Sequence, residues 1–300
     1  MKTAINVVND HIRDDDKHSL ARVFVVGCPR SGTTLLQSLL ASNSKIASFP
    51  ETHLFEKLFS RWSLLSALGV ASRTVWPRWK IIMDEIGHPE LSGYLPEHAV
   101  FVRQYSDAFV RVLDSITLSQ GKYLWIEKTP GHVRHVGRIE KLVDNAKFIH
   151  IIRTGVDNIA SLYEVGQRYP ETWGEWYGTI DQCIGRWIED VRRSRECSGM
   201  RNHRVIRYEE LVDDPRKSLI ELCQFIGVPF EEKMLKDYSK SASQLILRQE
   251  QWKVSVYGLI EKPRESKFYK VFSEQQRQYV LDCIPKDLLG IALAREESVG

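Results

Sequence analysis

The sequence has few cysteines and none of the usual cysteine motifs. Its five cysteines, Cys28, Cys183, Cys197, Cys223 and Cys283, are scattered along 300 residues without a Cys-x-x-Cys pair. A disulfide framework or a cysteine-based zinc site normally shows regular or paired spacing. The cysteines therefore indicate neither, and they favour a reducing, cytoplasmic location.

Long apolar runs and a strong charge bias are missing as well. No segment has the uninterrupted apolar length of a transmembrane helix, and the amino end carries Asp14–Asp16 in place of the apolar core of a signal peptide. We expect residues 1–20 to be flexible. With 42 Lys and Arg against 39 Asp and Glu, the net charge is +3. That excess is too small to indicate a nucleic-acid partner. The sequence leaves the oligomeric state open.

A glycine-bounded loop lies between an apolar strand, Val23 to Val26, and an amphipathic helix. Gly27 and Gly32 allow the backbone to curl around a ligand, and the free N–H groups at the helix start favour an anion. The glycine spacing is that of a nucleotide P-loop, but Thr33 replaces the lysine of ATPases and GTPases, and Arg30 lies inside the loop. The loop is therefore predicted to bind a phosphate without being an ordinary NTPase loop.

Strand and helix patterns alternate after this loop. Further strands are predicted at Lys45 to Phe49, Tyr123 to Glu127, Phe148 to Ile152 and His203 to Tyr208, with a helix over Gly131 to Val143 and a loop over Gly166 to Gly178. This order predicts an α/β fold in which a P-loop-like parallel sheet is flanked by helices. We expect residues 21–300 to form one domain.

Residues 52–119 form a helical insertion in this pattern, rich in large aromatic residues. Such an insertion is either part of the core or the wall of a substrate pocket, and the predicted loop with Trp173 and Trp176 is a second candidate wall. Gly27, Lys128 and Arg153 all follow strands. Ligands of open α/β sheets bind at the carboxyl ends of the strands, so these three residues are expected to converge there.

Several of these motifs resemble sulfotransferases that use 3′-phosphoadenosine 5′-phosphosulfate (PAPS). The loop of that family, which holds the 5′-phosphosulfate, reads Pro-Lys/Arg-Ser-Gly-Thr-Thr. The matching residues here are Pro29, Arg30, Ser31, Gly32, Thr33 and Thr34. The family grips the 3′-phosphate with an arginine at a strand end and a serine eight residues later, and Arg153 and Ser161 match both.

Weaker motifs extend the resemblance to most of residues 22–285. Tyr208 matches a tyrosine near the cofactor, and the segment around Lys267 resembles a basic carboxyl-terminal stretch that covers the cofactor. The motif pattern is most similar to the tyrosylprotein-sulfotransferase-like and bacterial branch.

The same resemblance implies catalytic roles. In tyrosylprotein sulfotransferases a glutamate at the offset of Glu51 is the base that takes the acceptor's proton. Lys128 and Arg30 are expected to stabilise the transferring sulfuryl group. His53 is an alternative base, and His132 also stays open for that role.

The function implied is transfer of a sulfuryl group from PAPS to a hydroxyl, less often an amine, with no metal required. The acceptor is left open among small molecules, lipids, sugars and peptides. One alternative is a P-loop kinase, which Thr33 and the lack of a convincing magnesium-binding aspartate argue against. Another is a nucleotide-binding module without catalysis.

Overall fold

The computed structural model describes residues 20–60, 63–96, 98–247, 250, 252–253, 258, 260 and 265–293. The segment expected to be flexible, residues 1–20, lies outside the described residues except for Leu20. In the described part of the chain, no helix combines the length and apolar character that a membrane crossing requires.

The core of the fold is a sheet of five parallel strands. They are β1 (Ala21–Gly27), β2 (Ile46–Phe49), β3 (Leu124–Lys128), β4 (Ala146–Ile152) and β5 (His203–Arg207). The spatial order is β2-β3-β1-β4-β5. β1 is thus the central strand. The predicted α/β class with a parallel sheet is confirmed.

The helices cover both faces of this sheet. They are α1 (Thr33–Ala41), α2 (Leu54–Leu58), α3 (Ser63–Ala67), α4 (Val75–Glu85), α5 (Val102–Ser119), α6 (Val136–Leu142), α7 (Gly155–Arg168), α8 (Pro170–Tyr177), α9 (Ile180–Glu196), α10 (Tyr208–Asp213), α11 (Pro215–Ile226), α12 (Lys233–Lys236), α13 (Tyr238–Leu245), α14 (Lys267–Val271), α15 (Glu274–Cys283) and α16 (Leu289–Ala292). Short 3₁₀ helices span Pro89–Tyr94, Pro130–His135 and Lys286–Leu288.

β1 reads as one apolar run because both of its faces are buried. Phe24 and Val26 point into a core built with helices α2, α4, α5 and α6. Val23 and Val25 point into the opposite core, which α1, α11 and α13 complete. A third apolar cluster joins α7 and α9 to the carboxyl-terminal helices α14 and α15.

The aromatic insertion serves mainly the core. Trp79, Tyr105 and Phe109 are buried in the cluster that covers one face of the sheet, and the Trp79 indole N–H donates to the Ser92 carbonyl at 2.9 Å. Among the described residues of the insertion, only His53, Glu56 and Lys57 line the cavity of the candidate site. Of the two roles left open for these helices, packing accounts for most of the aromatic side chains.

Two local predictions are wrong. Residues 166–178 form the end of α7 and the whole of α8 rather than a loop, with Pro170 in the first turn of α8, where a missing N–H has no cost. Gly166 is needed for close packing, since a Cβ there would collide with the Tyr177 carbonyl. The helix predicted from Gly131 starts at Val136, after a 3₁₀ turn.

Candidate active site

The loop after β1 has a backbone that only particular residues adopt easily. Gly27 and Gly32 have φ angles of 153° and 96°, and an added Cβ would collide with the Ile151 carbonyl or with the Tyr208 ring, respectively. Arg30 has a left-handed φ of 70°. A non-glycine residue in this region carries strain, which is typical of functional loops. Tyr208 thus lies directly against the loop.

The loop is built to receive an anion. α1 begins at Thr33 with Gly32 as its N-cap and has no side-chain cap, so its first N–H groups face the loop. Ser31 is fully buried, and its hydroxyl has no hydrogen-bond partner among the described residues. A buried polar atom of this kind needs an explanation, and a bound anion provides one.

Two arginines meet beside this loop. The Arg30 guanidinium donates to Ser161 Oγ at 3.4 Å and to the Trp252 carbonyl at 3.0 Å. Arg153 donates to the Arg30 carbonyl at 3.4 Å and stacks over the Tyr208 ring at 4.9 Å. Burial and the adjacent charge of Arg153 lower the pKa of Arg30. An anion between the two guanidinium groups would relieve this repulsion.

Glu51 lies across the cavity from the arginines, within a cluster of cations. Lys128, only 1% exposed, pairs with Glu51 Oε1 and donates to Thr34 Oγ1 at 3.2 Å. Lys253 pairs with the same carboxylate at 2.5 Å and with Glu250. Burial opposes the charge of Glu51, but Lys128, Lys253 and His53 outweigh it and hold its pKa well below the ordinary value. Burial lowers the pKa of Lys128 to about 8, against the opposing attraction of Glu51.

His53 connects two carboxylates. Its Nδ1 lies 2.6 Å from Glu56 and its Nε2 lies 3.3 Å from Glu51. Burial alone would lower the pKa of His53, but the two carboxylates raise it to about 9. Glu56 in turn pairs with Arg134 at 2.8 Å. His53 is therefore an imidazolium at neutral pH, with no lone pair to accept an acceptor's proton.

These groups surround one cavity of about 620 Å³, a size typical of small-molecule sites. Its aromatic side includes Trp173, Trp176 and Tyr177, together with Trp252. The Trp173 ring packs edge-on against Trp252, with 5.3 Å between centroids. The Trp173 indole N–H is buried without a hydrogen-bond partner in the described part of the chain.

Two of the candidates lie elsewhere. His132 is fully buried, accepts from the Phe55 N–H at 3.3 Å and lies 3.0 Å from Glu127. It is part of the core and does not line the cavity. Lys267 forms an ion pair with Glu164 and is likewise absent from the described lining. The burial of His132 in the core argues against the base role left open for it, whereas the cofactor role of Lys267 stays a prediction.

Sequence reasoning missed Lys253, the second lysine that pairs with Glu51. The two residues are 202 positions apart, and the segment around Lys253 has no phosphate-loop or strand-end pattern. It also missed Glu56 and Arg134, which line the cavity next to His53. The structure brings most of the other candidates together. They are the loop residues, Glu51, Lys128, Arg153, Ser161 and Tyr208.

A family model matches the part of the sequence that carries most of these residues. The model of the Sulfotransferase family matches residues 22–232, which include the loop, Glu51, Lys128, Arg153 and Tyr208. The chain belongs to the sulfotransferase family. The resemblance noted in the sequence is thus confirmed.

The individual relatives of this chain are distant. It is 25% identical over 293 residues to an uncharacterized protein of Aquifex aeolicus, covering 89% of this chain and 35% of that protein. It is 24% identical over 236 residues to protein-tyrosine sulfotransferase A of Caenorhabditis elegans, covering 75% of this chain and 55% of that protein. The chain thus spans well under two thirds of the length of these two relatives.

A solved structure shares the fold. The sulfotransferase domain from the curacin biosynthetic pathway superimposes with a TM-score of 0.54 at 22% identity. The alignment covers 86% of this chain and 98% of that domain.

Proposed function

We propose that this sulfotransferase transfers a sulfuryl group from PAPS to an acceptor hydroxyl, and less readily to an amine. The observation that carries the proposal is the position of Lys128. Its buried ammonium contacts Thr34 of the anion loop and the Glu51 carboxylate at once. A single cation therefore links the site for the donor's anionic group to the only carboxylate that we assign as a base.

The residues of the loop fit the donor. We assign its 5′ side to the residues Pro29, Arg30, Ser31, Gly32, Thr33 and Thr34, because the bare N-terminus of α1 and the unpartnered Ser31 hydroxyl offer donors. We assign its 3′-phosphate to Arg153 and Ser161, which both contact Arg30. The Tyr208 ring packs against Gly32 of the loop and under the Arg153 guanidinium. We assign no metal to the transfer.

When bound, PAPS supplies the sulfuryl group and a bisphosphate leaving group. Arg30 and Lys128 direct positive charge at the place where the group passes, and in a buried site such fixed charges are worth more than in water. Glu51 removes the acceptor's proton. Its low pKa keeps it ionised over the physiological range, which is the form that a base needs, and also makes it a weaker base than an ordinary glutamate.

His53 is better described as a positioning residue than as the base. Its imidazolium holds Glu51 Oε2 from the side opposite to the two lysines, and Glu56 and Arg134 hold the imidazolium in turn. The left-handed φ of 51° at His53 directs its ring into this chain of charges. The strain at His53 thus serves the orientation of Glu51.

The acceptor site is the aromatic side of the cavity. Trp173, Trp176 and Tyr177 favour an apolar or aromatic acceptor, and the free indole N–H of Trp173 offers it a hydrogen bond. A tyrosine side chain in a peptide fits this description, and one relative is named a protein-tyrosine sulfotransferase. Small molecules, lipids and sugars that carry a hydroxyl are the other classes. Five free cysteines, three of them buried, favour work in the reducing cytoplasm.

Calorimetry tests the assignment of the 3′-phosphate. The wild-type chain is expected to bind adenosine 3′,5′-bisphosphate about ten- to a hundredfold more tightly than AMP, because each charge-assisted hydrogen bond adds roughly 1.5–3 kcal/mol. Arg153→Ala is expected to remove most of this difference and to leave AMP binding nearly unchanged.

The matched control is Arg186→Ala, which removes another arginine from the lining of the same cavity. Its discrimination between the two nucleotides is expected to stay at the wild-type value. Equal binding of AMP and the bisphosphate by the wild type would refute the choice of PAPS. Equal weakening of both ligands by Arg153→Ala would make Arg153 a structural residue.

A further inference from the structure

A cluster of metal-binding side chains lies away from the cavity. His150 in β4, Cys197 directly after α9 and His203 at the start of β5 place their ligand atoms within 4.8 Å of one another. None of the three lines the cavity. We propose that they bind a zinc ion that ties these three elements together, independently of sulfuryl transfer.

The two imidazoles already face each other correctly. His150 Nε2 lies 3.0 Å from His203 Nδ1. With metal–nitrogen bonds of about 2.0–2.1 Å, two nitrogens of a tetrahedral site lie about 3.3 Å apart, so the pair needs to open by only about 0.3 Å. The Cys197 sulfur completes a set of two nitrogens and one thiolate, which suits zinc.

Each imidazole is held from behind on its other nitrogen. His203 Nε2 lies 3.0 Å from Glu140 Oε1, and that carboxylate is fixed by the Asn202 amide at 2.7 Å. His150 Nδ1 lies 3.2 Å from Ser194 Oγ. Zinc-binding histidines usually donate their other ring N–H to a carboxylate, a backbone carbonyl or a water molecule, which fixes the ring and the tautomer. Glu140 matches this pattern, and Ser194 places a hydroxyl oxygen at the equivalent position. A stacked Phe148 ring, 4.8 Å from the His203 ring, further restricts its orientation.

The proton balance is simple. Without metal, the Nε2–H of His150 donates to His203 Nδ1, whose own ring proton sits on Nε2 and points to Glu140. On binding, the His150 proton moves to Nδ1 and is donated to Ser194 Oγ, while the Cys197 thiol loses its proton to solvent. One zinc ion therefore replaces one proton, and binding tightens as the pH rises.

A route to the site exists. A surface hollow is lined by His203, Met200 and Arg204 among others, and Cys197 is partly exposed. We expect the ion to enter from this hollow and to take a water molecule as its fourth ligand. The same contacts also form a complete hydrogen-bond network without metal, so the experiment must separate the two states.

Cobalt titration separates them. The purified chain, stripped with a chelator and kept reduced, is titrated with Co²⁺ and followed by the thiolate-to-cobalt charge-transfer absorption. The band is expected to saturate at one ion per chain and to be lost on adding Zn²⁺. Cys197→Ser is expected to abolish it. Cys283→Ser, which changes an exposed cysteine outside the cluster, is expected to keep it.

Thermal unfolding gives a second readout that does not depend on activity. Zinc at about a hundred times its Kd is expected to raise the melting temperature by about 5 °C in the wild type and in Cys283→Ser, but not in Cys197→Ser. Absence of the charge-transfer band in the wild type, or its persistence in Cys197→Ser, would overturn the proposal. So would an equal rise of the melting temperature in all three chains.

Discussion

The charged side chains on the two sides of the cavity differ in how far they are paired with groups of opposite charge. On the loop side, the Arg30 guanidinium donates to a neutral hydroxyl and a carbonyl, and Arg153 lies over an aromatic ring with the Asp157 carboxylate 3.9 Å away. On the base side, Glu51 and Glu56 are each paired with at least two cationic groups. The loop side thus keeps positive charge for an incoming anion, whereas the base side is already balanced and is built to hold one carboxylate in place.

The largest effect is expected from breaking the balanced side at its centre. Glu51→Gln keeps the size of the side chain but removes the base, and general-base catalysis typically contributes about 10²–10⁴-fold. We expect turnover to fall by at least about a hundredfold, while calorimetry shows affinity for adenosine 3′,5′-bisphosphate within about threefold of the wild type.

The control is Glu56→Gln, which alters a carboxylate on the same side that contacts His53 and not Lys128. Its turnover is expected to fall by less than about tenfold, because it perturbs position and not proton transfer. Turnover near the wild-type value in Glu51→Gln would move the base role to another group.

A smaller effect is expected from removing one of the two lysines. Lys253→Met deletes a cation 2.5 Å from Glu51, and an opposite charge at that distance typically lowers a carboxyl pKa by about 1–3 units. The acid limb of the rate against pH is therefore expected to move upward by about one unit.

Lys57→Met is the matched control for Lys253→Met, since Lys57 lines the cavity without contacting Glu51. Its acid limb is expected to coincide with that of the wild type. An unchanged acid limb in Lys253→Met would mean that Lys253 acts on the bound donor and not on Glu51.

The smallest effect concerns stability. His53 has a folded pKa of about 9 against about 6.5 in the unfolded chain. Its charge therefore stabilises the fold fully below about pH 6.5, and this stabilisation is lost as the pH rises through about 9. Because 35% of the His53 side chain is exposed, solvent screening reduces the expected loss to about 1 kcal/mol.

Urea unfolding at pH 6 and at pH 9.5 checks this difference. The free energy of unfolding of the wild type is expected to fall by about 1 kcal/mol more than that of His53→Gln over this range. Equal losses in both chains would show that His53 is not charged in the folded state.

The candidate residues that the structure brings together were recognisable in the sequence from local patterns. Arg30 lies in a loop between a strand and a helix, and Lys128 and Arg153 follow parallel strands, whose carboxyl ends meet by topology. The sheet itself was predictable from alternating patterns for the same reason. His132 also follows a strand closely in the sequence, but in the structure it lies in the core, where its ring contacts Glu127 and accepts from the Phe55 N–H.

What was missed depends on contacts between distant segments. Lys253 reaches Glu51 only because the chain returns across the cavity, and no local spacing encodes that return. The cluster of His150, Cys197 and His203 is similar, since two strands and a helix end must come together before three unremarkable positions become neighbours. The absence of a Cys-x-x-Cys pair says nothing about such a site.

The hydrogen bond from the Arg30 guanidinium to the Trp252 carbonyl limits how far this protein can be shortened at its carboxyl-terminal side. The family match ends at residue 232, and all five strands lie before that point. A chain cut there would contain every residue of these strands and of the anion loop, yet it would lose Trp252 and Lys253 from the cavity and the helices α13, α14 and α15 from two of the apolar clusters. The family match therefore ends before the last residues that line the cavity.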